Sequence, residues 1–273
     1  MKKTIYYIMT AGVLALGLPS CSLFEIDNYA QPEETIKGVV VDVATGEPVL
    51  TEQSTNGIRV RMTELSYGPN VIHNPDFYCR DDGSFQNTKV FKGNYNIRVD
   101  GPFIPIVREN ADGEIIEDNS ITCDVKGTTE LRFEVEPFLK VEFVGEPVVS
   151  GGKITAQVKV TRAVSVERFQ ELVEPMGGYN PNFTNVTDVR LFVSYSSTCS
   201  QRSQYEALSS KIEYGGASFE SHLGEPITMV SSGTAKPNRK LFIRAAARIN
   251  YGTPAGSGTR RYNYSEVKEV NIP

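Results

Sequence analysis

Residues 82–99 read Asp-Gly-Ser-Phe-Gln-Asn-Thr-Lys-Val-Phe-Lys-Gly-Asn-Tyr-Asn-Ile-Arg-Val. A turn pair, Asp82-Gly83, opens the stretch, and Lys92-Gly93-Asn94 divides it. Tyr95, Ile97 and Val99 then alternate with Asn96 and Arg98. Period two is the signature of a strand with one buried and one wet face. The pattern recurs on both sides. Ile58, Val60 and Met62 alternate with Arg59, Arg61 and Thr63, and Leu131, Phe133 and Val135 alternate with Arg132 and Glu134. Thr45-Gly46-Glu47-Pro48 and Asp112-Gly113 supply further turns. Many short strands with little helical spacing predict an all-β protein built of antiparallel sandwiches.

The second half repeats the style without repeating the sequence. Ile154, Ala156, Val158 and Val160 mark one strand, and Val189, Leu191, Val193 and Tyr195 another. Leu241, Ile243, Ala245, Ala247 and Ile249 mark a long one whose other, wet face carries Arg244 and Arg248. Val166, Phe169, Leu172 and Val173 have helical spacing, ended by Pro175 and Gly177-Gly178. The boundary between two domains, 35–137 and 138–273, is expected near Glu136-Pro137-Phe138. No short motif recurs at a fixed period, which argues against a solenoid.

The N-terminus is a targeting segment. Lys2 and Lys3 precede an apolar run from Ile5 to Leu18, followed by Pro19, Ser20 and Cys21. This is the layout of an export signal, and the run is short for a permanent span of about 20 apolar residues. It resembles a bacterial lipobox, which implies cleavage after residue 20 and lipidation of Cys21. Residues 21–34 then form a polar tether. Ser22 rather than Asp follows Cys21, so the usual inner-membrane retention signal is missing. Acidic Glu25 and Asp27 resemble a surface-export signal, and a periplasmic-facing location is the alternative.

The chain has 28 basic and 33 acidic residues, a formal charge of −5. Removing residues 1–20 takes away Lys2 and Lys3 and no acid, leaving −7. An acidic body lacks the electrostatic footprint of nucleic-acid binding. Beyond Cys21, only Cys79, Cys123 and Cys199 occur, so pairing within the chain leaves one over. Cys79 and Cys123 could pair in an oxidising compartment, or all three could be buried free thiols. His73 and His222 are the only histidines, and no zinc-ligand spacing joins them. Asp81-Asp82 and Asp112-Gly113-Glu114 lie at turns and lack an EF-hand spacing. No cofactor, metal or catalytic set is expected.

Residues 36–50 read Ile-Lys-Gly-Val-Val-Val-Asp-Val-Ala-Thr-Gly-Glu-Pro-Val-Leu. Together with Asp-Gly-Ser-Phe at 82–85 and Gly-Asn-Tyr at 93–95, they resemble the carboxypeptidase-regulatory-like, transthyretin-like sandwich. That resemblance implies that Phe85 and Tyr95 point inward. The chain departs from the pattern after Val49, where Thr51 to Asn56 replace a short step. The second half resembles a fibronectin-III-like or immunoglobulin-like sandwich over Asp188 to Tyr195, Leu241 to Asn250 and Ser265 to Ile272. Lipobox, tether and both domains together resemble a Bacteroidetes family of two-domain lipoproteins of unknown function. Members are associated with Sus-like transporters and glycan-binding partners. The resemblance implies a non-catalytic outer-membrane lipoprotein, accessory to glycan capture or uptake. The alternative is a structural or adhesive surface protein. A fold by itself implies neither.

A polysaccharide or oligosaccharide ligand needs aromatic faces for its C–H surfaces and amides for its hydroxyls. The loop Gly177 to Phe183 offers Tyr179, Asn180, Asn182 and Phe183, and is the first candidate. Tyr67, Asn70, His73, Asn74, Asp76 and Phe77 form a second, and Tyr251, Arg260, Tyr262 and Tyr264 a third. Loop aromatics can equally be lids on a sandwich core.

Overall fold

The computed structural model describes residues 30–66, 75–253 and 258–273. Cys21, the signal segment, most of the tether, and Tyr67, Asn70, His73 and Asn74 lie outside them.

In the first sandwich, β1 (Glu34–Asp42) is the middle of a three-stranded sheet. It pairs antiparallel with β4 (Ser84–Val90) and parallel with β9 (Thr128–Val135). The facing sheet runs β3 (Phe77–Tyr78), β2 (Arg59–Glu64), β5 (Gly93–Asp100), β8 (Ile121–Val125), all antiparallel. A separate ribbon joins β6 (Val107–Glu109) to β7 (Ile115–Asp118). The alternating residues fill the core: Val60, Met62, Ile97, Val99, Phe133 and Val135 are all buried. Phe85 and Tyr95 point inward, and the Tyr95 hydroxyl donates to the Phe91 carbonyl at 3.0 Å, satisfying a buried polar group. Gly38 has a packing reason. A Cβ there would sit 2.1 Å from the Leu131 carbonyl oxygen and 2.5 Å from the Phe85 ring. The turn at Arg80–Gly83 needs Gly83 at φ +78°, and the Asp82 carboxylate accepts from the Ser84 N–H at 2.9 Å.

In the second sandwich, β12 (Lys153–Arg162) pairs with β10 (Leu139–Phe143), β11 (Val148–Ser150) and β15 (Pro226–Val230). The opposing sheet runs β14 (Ser210–Glu213), β13 (Val186–Ser194), β16 (Arg239–Ile249), β17 (Asn263–Ile272). The one α-helix among the described residues, α1 (Val166–Val173), buries Phe169, Leu172 and Val173 against this core. Ser165 caps it, accepting from the Arg168 N–H at 3.1 Å. The helix gives way to a 3₁₀ turn at 174–176 and then to Gly177 at φ +120°. Tyr195 differs from the strand reading: β13 stops at Ser194, and Tyr195 is half exposed.

The largest departure from the period-two reading is Arg244. Its face of β16 was expected to be wet, yet Arg244 is 1% exposed. Phe192, Cys199, Ala246, Tyr262 and Tyr264 form a second apolar layer on that outer face, and Leu50 of the first sandwich packs on it. Arg244 donates to the carbonyls of Thr51 at 2.7 Å, Asp81 at 3.1 Å and Ser265 at 2.7 Å. The segment after Val49 is therefore a junction. Thr51, Glu52 and Ser54 are buried, and Glu52 accepts from the Arg202 N–H at 3.2 Å. Asn263 adds a second tie, with its amide donating to the Pro102 carbonyl at 3.0 Å.

Cys79, Cys123 and Cys199 are all free thiols. Burial pushes Cys199 up to about 12, and burial with the nearby Asp82 pushes Cys79 higher still. Cys123 is half-buried and more modestly raised, by burial and then Asp124. Thiolate is the reactive form. Iodoacetamide at pH 8 should therefore modify Cys123 first among the three, with Cys79 and Cys199 reacting only in denaturant. Peptide mass spectrometry reads the order.

Candidate functional site

The 177–183 loop is built by the end of α1. Gly177 and Gly178 take positive φ and turn the chain, and Asn180 then caps a 3₁₀ turn at Pro181–Thr184. The Asn180 side chain accepts from the Asn182 N–H at 2.9 Å, so Asn180 serves the turn. Tyr179 and Phe183 are half-buried lids. Their rings lie 6.4 Å apart, and Phe183 packs 5.3 Å from Tyr251, which in turn packs 5.1 Å from Phe169. These aromatics close one end of the second core.

Asn182 has a different place. It lines a pocket of about 320 Å³ with Asn185, Thr187, Tyr214, Gly216 and Asn250. Asn185 donates through its side-chain amide nitrogen to Asn182 Oδ1 at 3.1 Å. Asn250 accepts from the Arg260 guanidinium at 2.7 Å. Thr187 donates to Asp188 at 2.9 Å. After these bonds, the amide nitrogens of Asn182 and Asn250, the amide oxygen of Asn185 and the Tyr214 hydroxyl have no partner among the described residues. Such a set mixes donors and acceptors and carries no charge. The Tyr214 ring is held edge-on to Phe219, with centroids 4.7 Å apart. Desolvation raises its hydroxyl pKa, keeping it a neutral donor. The hydroxyl groups of a ligand suit this lining.

Apart from Arg260, the described members of the other two aromatic groups are spent on packing and ion pairs. Tyr251, Tyr262 and Tyr264 are buried, because both faces of the β13–β16–β17 region are covered. Arg260 alone of that group is exposed. Asp76 accepts from Arg61 at 3.3 Å and pairs with Arg59 at 3.4 Å. Phe77 stands edge-on to Phe85 at 6.0 Å. Both serve the first sandwich. Asn185, Tyr214 and Asn250 went unread because they come from three separate elements, and only the proximity of Asn185 to Asn182 offered a hint. Tyr195, which the strand pattern placed on an inner face, forms an exposed pair with Tyr205, 50% and 47% accessible and 5.4 Å apart.

A larger cleft of about 600 Å³ lies where the sandwiches meet, lined in part by Asp42, Glu47, Asp82, Glu142, Lys140 and Lys268. Several of its charges are already engaged. Glu142 pairs with Lys140 at 3.1 Å and Lys159 at 3.4 Å, and Asp42 caps its own turn at the Ala44 N–H. Among the described residues, no cluster of His, Cys, Asp and Glu could hold a metal ion. No helix among them is long and apolar enough to cross a membrane. His222 packs against Tyr214 and Phe219, with no thiol beside it as a partner.

Residues 34–136 match the N-terminal domain of a family described as a protein of unknown function, DUF3823. A DUF3823 family protein from Bacteroides uniformis is 60% identical, with a TM-score of 0.86 over 89% of this chain and 100% of that one. The chain belongs to the DUF3823 family. This DUF3823 member also shares its fold with a Bacteroides uniformis protein named "putative carbohydrate binding protein". That likeness has 20% identity and a TM-score of 0.62, covering 88% of this chain and 100% of the other. A DUF3823 family protein from Parabacteroides merdae has 16% identity and a TM-score of 0.58, over 89% and 100%. No curated protein matches the chain. For the DUF3823 fold, tandem β-sandwiches are thus the shared architecture, and chemistry has to be argued from the site.

Proposed function

We propose that this DUF3823 protein is a non-catalytic, lipid-anchored outer-membrane protein that captures a glycan in support of a Sus-like uptake system. The convergence of Asn182, Asn185, Asn250 and Tyr214 on one uncharged pocket carries this reading. Pyranose hydroxyls both donate and accept, and the unspent groups of this pocket do the same. The name of the B. uniformis fold relative points the same way. Neither the raised thiols nor the engaged carboxylates of the junction cleft offer a nucleophile or a general acid.

Binding is tested by affinity electrophoresis of the mature chain in gels cast with individual polysaccharides. At least one should retard it. Losing one neutral hydrogen bond costs about 0.5–1.5 kcal/mol, so Asn182→Ala and Asn250→Ala should each weaken retardation about three- to ten-fold. Absence of retardation in every polysaccharide, with a transporter co-purifying, would replace this reading with a spacer role. The rigid Arg244 junction would suit such a role. Anchoring is tested separately. Cys21→Ala should move the protein from the membrane fraction to the soluble fraction of its host, and retention in the membrane would remove the lipid from the proposal.

A further inference from the structure

We propose that the glycan is acidic, with a carboxylate or sulfate group meeting Arg260 at the mouth of the amide pocket. This rests on the glycan reading above and names the ligand's charge. The observation is an imbalance of charge on the outer face of the β14–β13–β16–β17 sheet. Arg190 and Arg248 share a single carboxylate, Asp188, at 3.1 Å and 2.7 Å. Lys211 is matched by Glu213 at 2.6 Å. Arg260 has no carboxylate partner among the described residues. Its bond goes to the neutral amide oxygen of Asn250, at 2.7 Å. Around Asp188, the three guanidiniums of Arg190, Arg248 and Arg260 therefore share one carboxylate, in a chain whose formal charge is −5.

The placement matters more than the count. Asn250 lines the pocket, so Arg260 stands one hydrogen bond from it. Arg260 is exposed, and a guanidinium has five N–H donors, of which one is spent here. The bond to Asn250 also orients that amide with its donor nitrogen free. Arg248 adjoins through the Arg260 carbonyl, at 3.5 Å, and Thr187 links the pocket wall to Asp188. An anion at the pocket mouth would thus meet an uncompensated guanidinium in a fork geometry suited to carboxylate and sulfate oxygens.

The test compares matched polymers on the full mature chain: dextran against dextran sulfate, and methyl-esterified pectin against polygalacturonate. The acidic member of at least one pair should bind about ten-fold more tightly. That preference should fall in 0.5 M NaCl and disappear in Arg260→Gln, whose exposed position keeps the fold intact by thermal melting. Lys268→Gln, at the junction cleft, should leave the preference unchanged. Preference in the sulfate pair alone names a sulfate ester, and in the pectin pair alone a uronate. Equal binding of neutral and acidic members, still sensitive to Asn182→Ala, would overturn the acidic ligand and leave glycan capture standing. An acidic preference that survives Arg260→Gln would overturn the site. Absence of binding by every polymer would bring down both readings together.

Discussion

Arg244→Ala should lower the stability of the protein by about 3–5 kcal/mol, because it strands three carbonyl acceptors at about 1–3 kcal/mol each. Arg244 makes the largest set of hydrogen bonds by any one side chain at the junction between sandwiches. Its guanidinium bonds three carbonyls, two of them on the first sandwich, and lies 4.6 Å from the centre of the Tyr264 ring. Burial pulls its pKa below the usual arginine range, and the electron-rich surroundings of Tyr264, Asp81, Cys199 and Glu52 offset part of that. Alanine leaves a cavity and strands the Thr51, Asp81 and Ser265 carbonyls. For a body of this size, the expected fall in Tm is about 10 °C. Arg244→Lys should recover only part of it, because one ammonium cannot reproduce a fork aimed at three acceptors. Chemical denaturation followed at two wavelengths measures the loss. A midpoint unchanged within error would mean that the sandwiches do not depend on one another through this residue.

Why Arg244 escaped a sequence reading is instructive. Period-two alternation reports which residues face the core of their own sandwich, and for Leu241, Ile243, Ala245 and Ala247 it reported correctly. It assigns everything on the opposite face to water. An apolar layer that includes Cys199, Tyr262 and Tyr264, together with Leu50 and Thr51 of the first sandwich, dries that face. The same limit applies to the aromatics. Tyr251, Tyr262 and Tyr264 sit in polar, turn-rich sequence, yet tertiary packing buries all three. The alternating strand faces and the helix over Val166 to Val173 were legible because their cause is local spacing, and the inward Phe85 and Tyr95 followed from the family resemblance. The departure after Val49 was legible as a departure, but its role as a junction depended on a partner surface about 190 residues along the chain. Of the amide pocket, Asn182 was legible from its loop. Tyr214 and Asn250 reach it from β-strand ends that no sequence motif connects to that loop.

Asp188→Asn should produce the second large loss, about 3 kcal/mol at neutral pH, because it leaves two half-buried guanidiniums without the counter-charge of a buried carboxylate. Asp188 is 2% exposed. It accepts from Arg248 at 2.7 Å, from Arg190 at 3.1 Å, from Thr187 at 2.9 Å and from the Tyr262 hydroxyl. Burial alone would raise its carboxyl pKa. The bonds from Tyr262, Arg248 and Arg190 outweigh burial and hold it below the usual carboxylate range. A carboxyl whose folded pKa is depressed contributes stability that is fully present above its unfolded value, about 3.9, and lost as pH falls through the folded value. The stability gap between the wild-type protein and Asp188→Asn should therefore be widest at neutral pH and narrow progressively below about pH 4. Comparing the two chains cancels the other carboxylates, which titrate in both. Urea midpoints collected from pH 7 to pH 3 give the curve. A gap of constant size across that range would show that the Asp188 charge contributes nothing beyond shape, and that Arg190 and Arg248 are held by Tyr262 and by solvent instead.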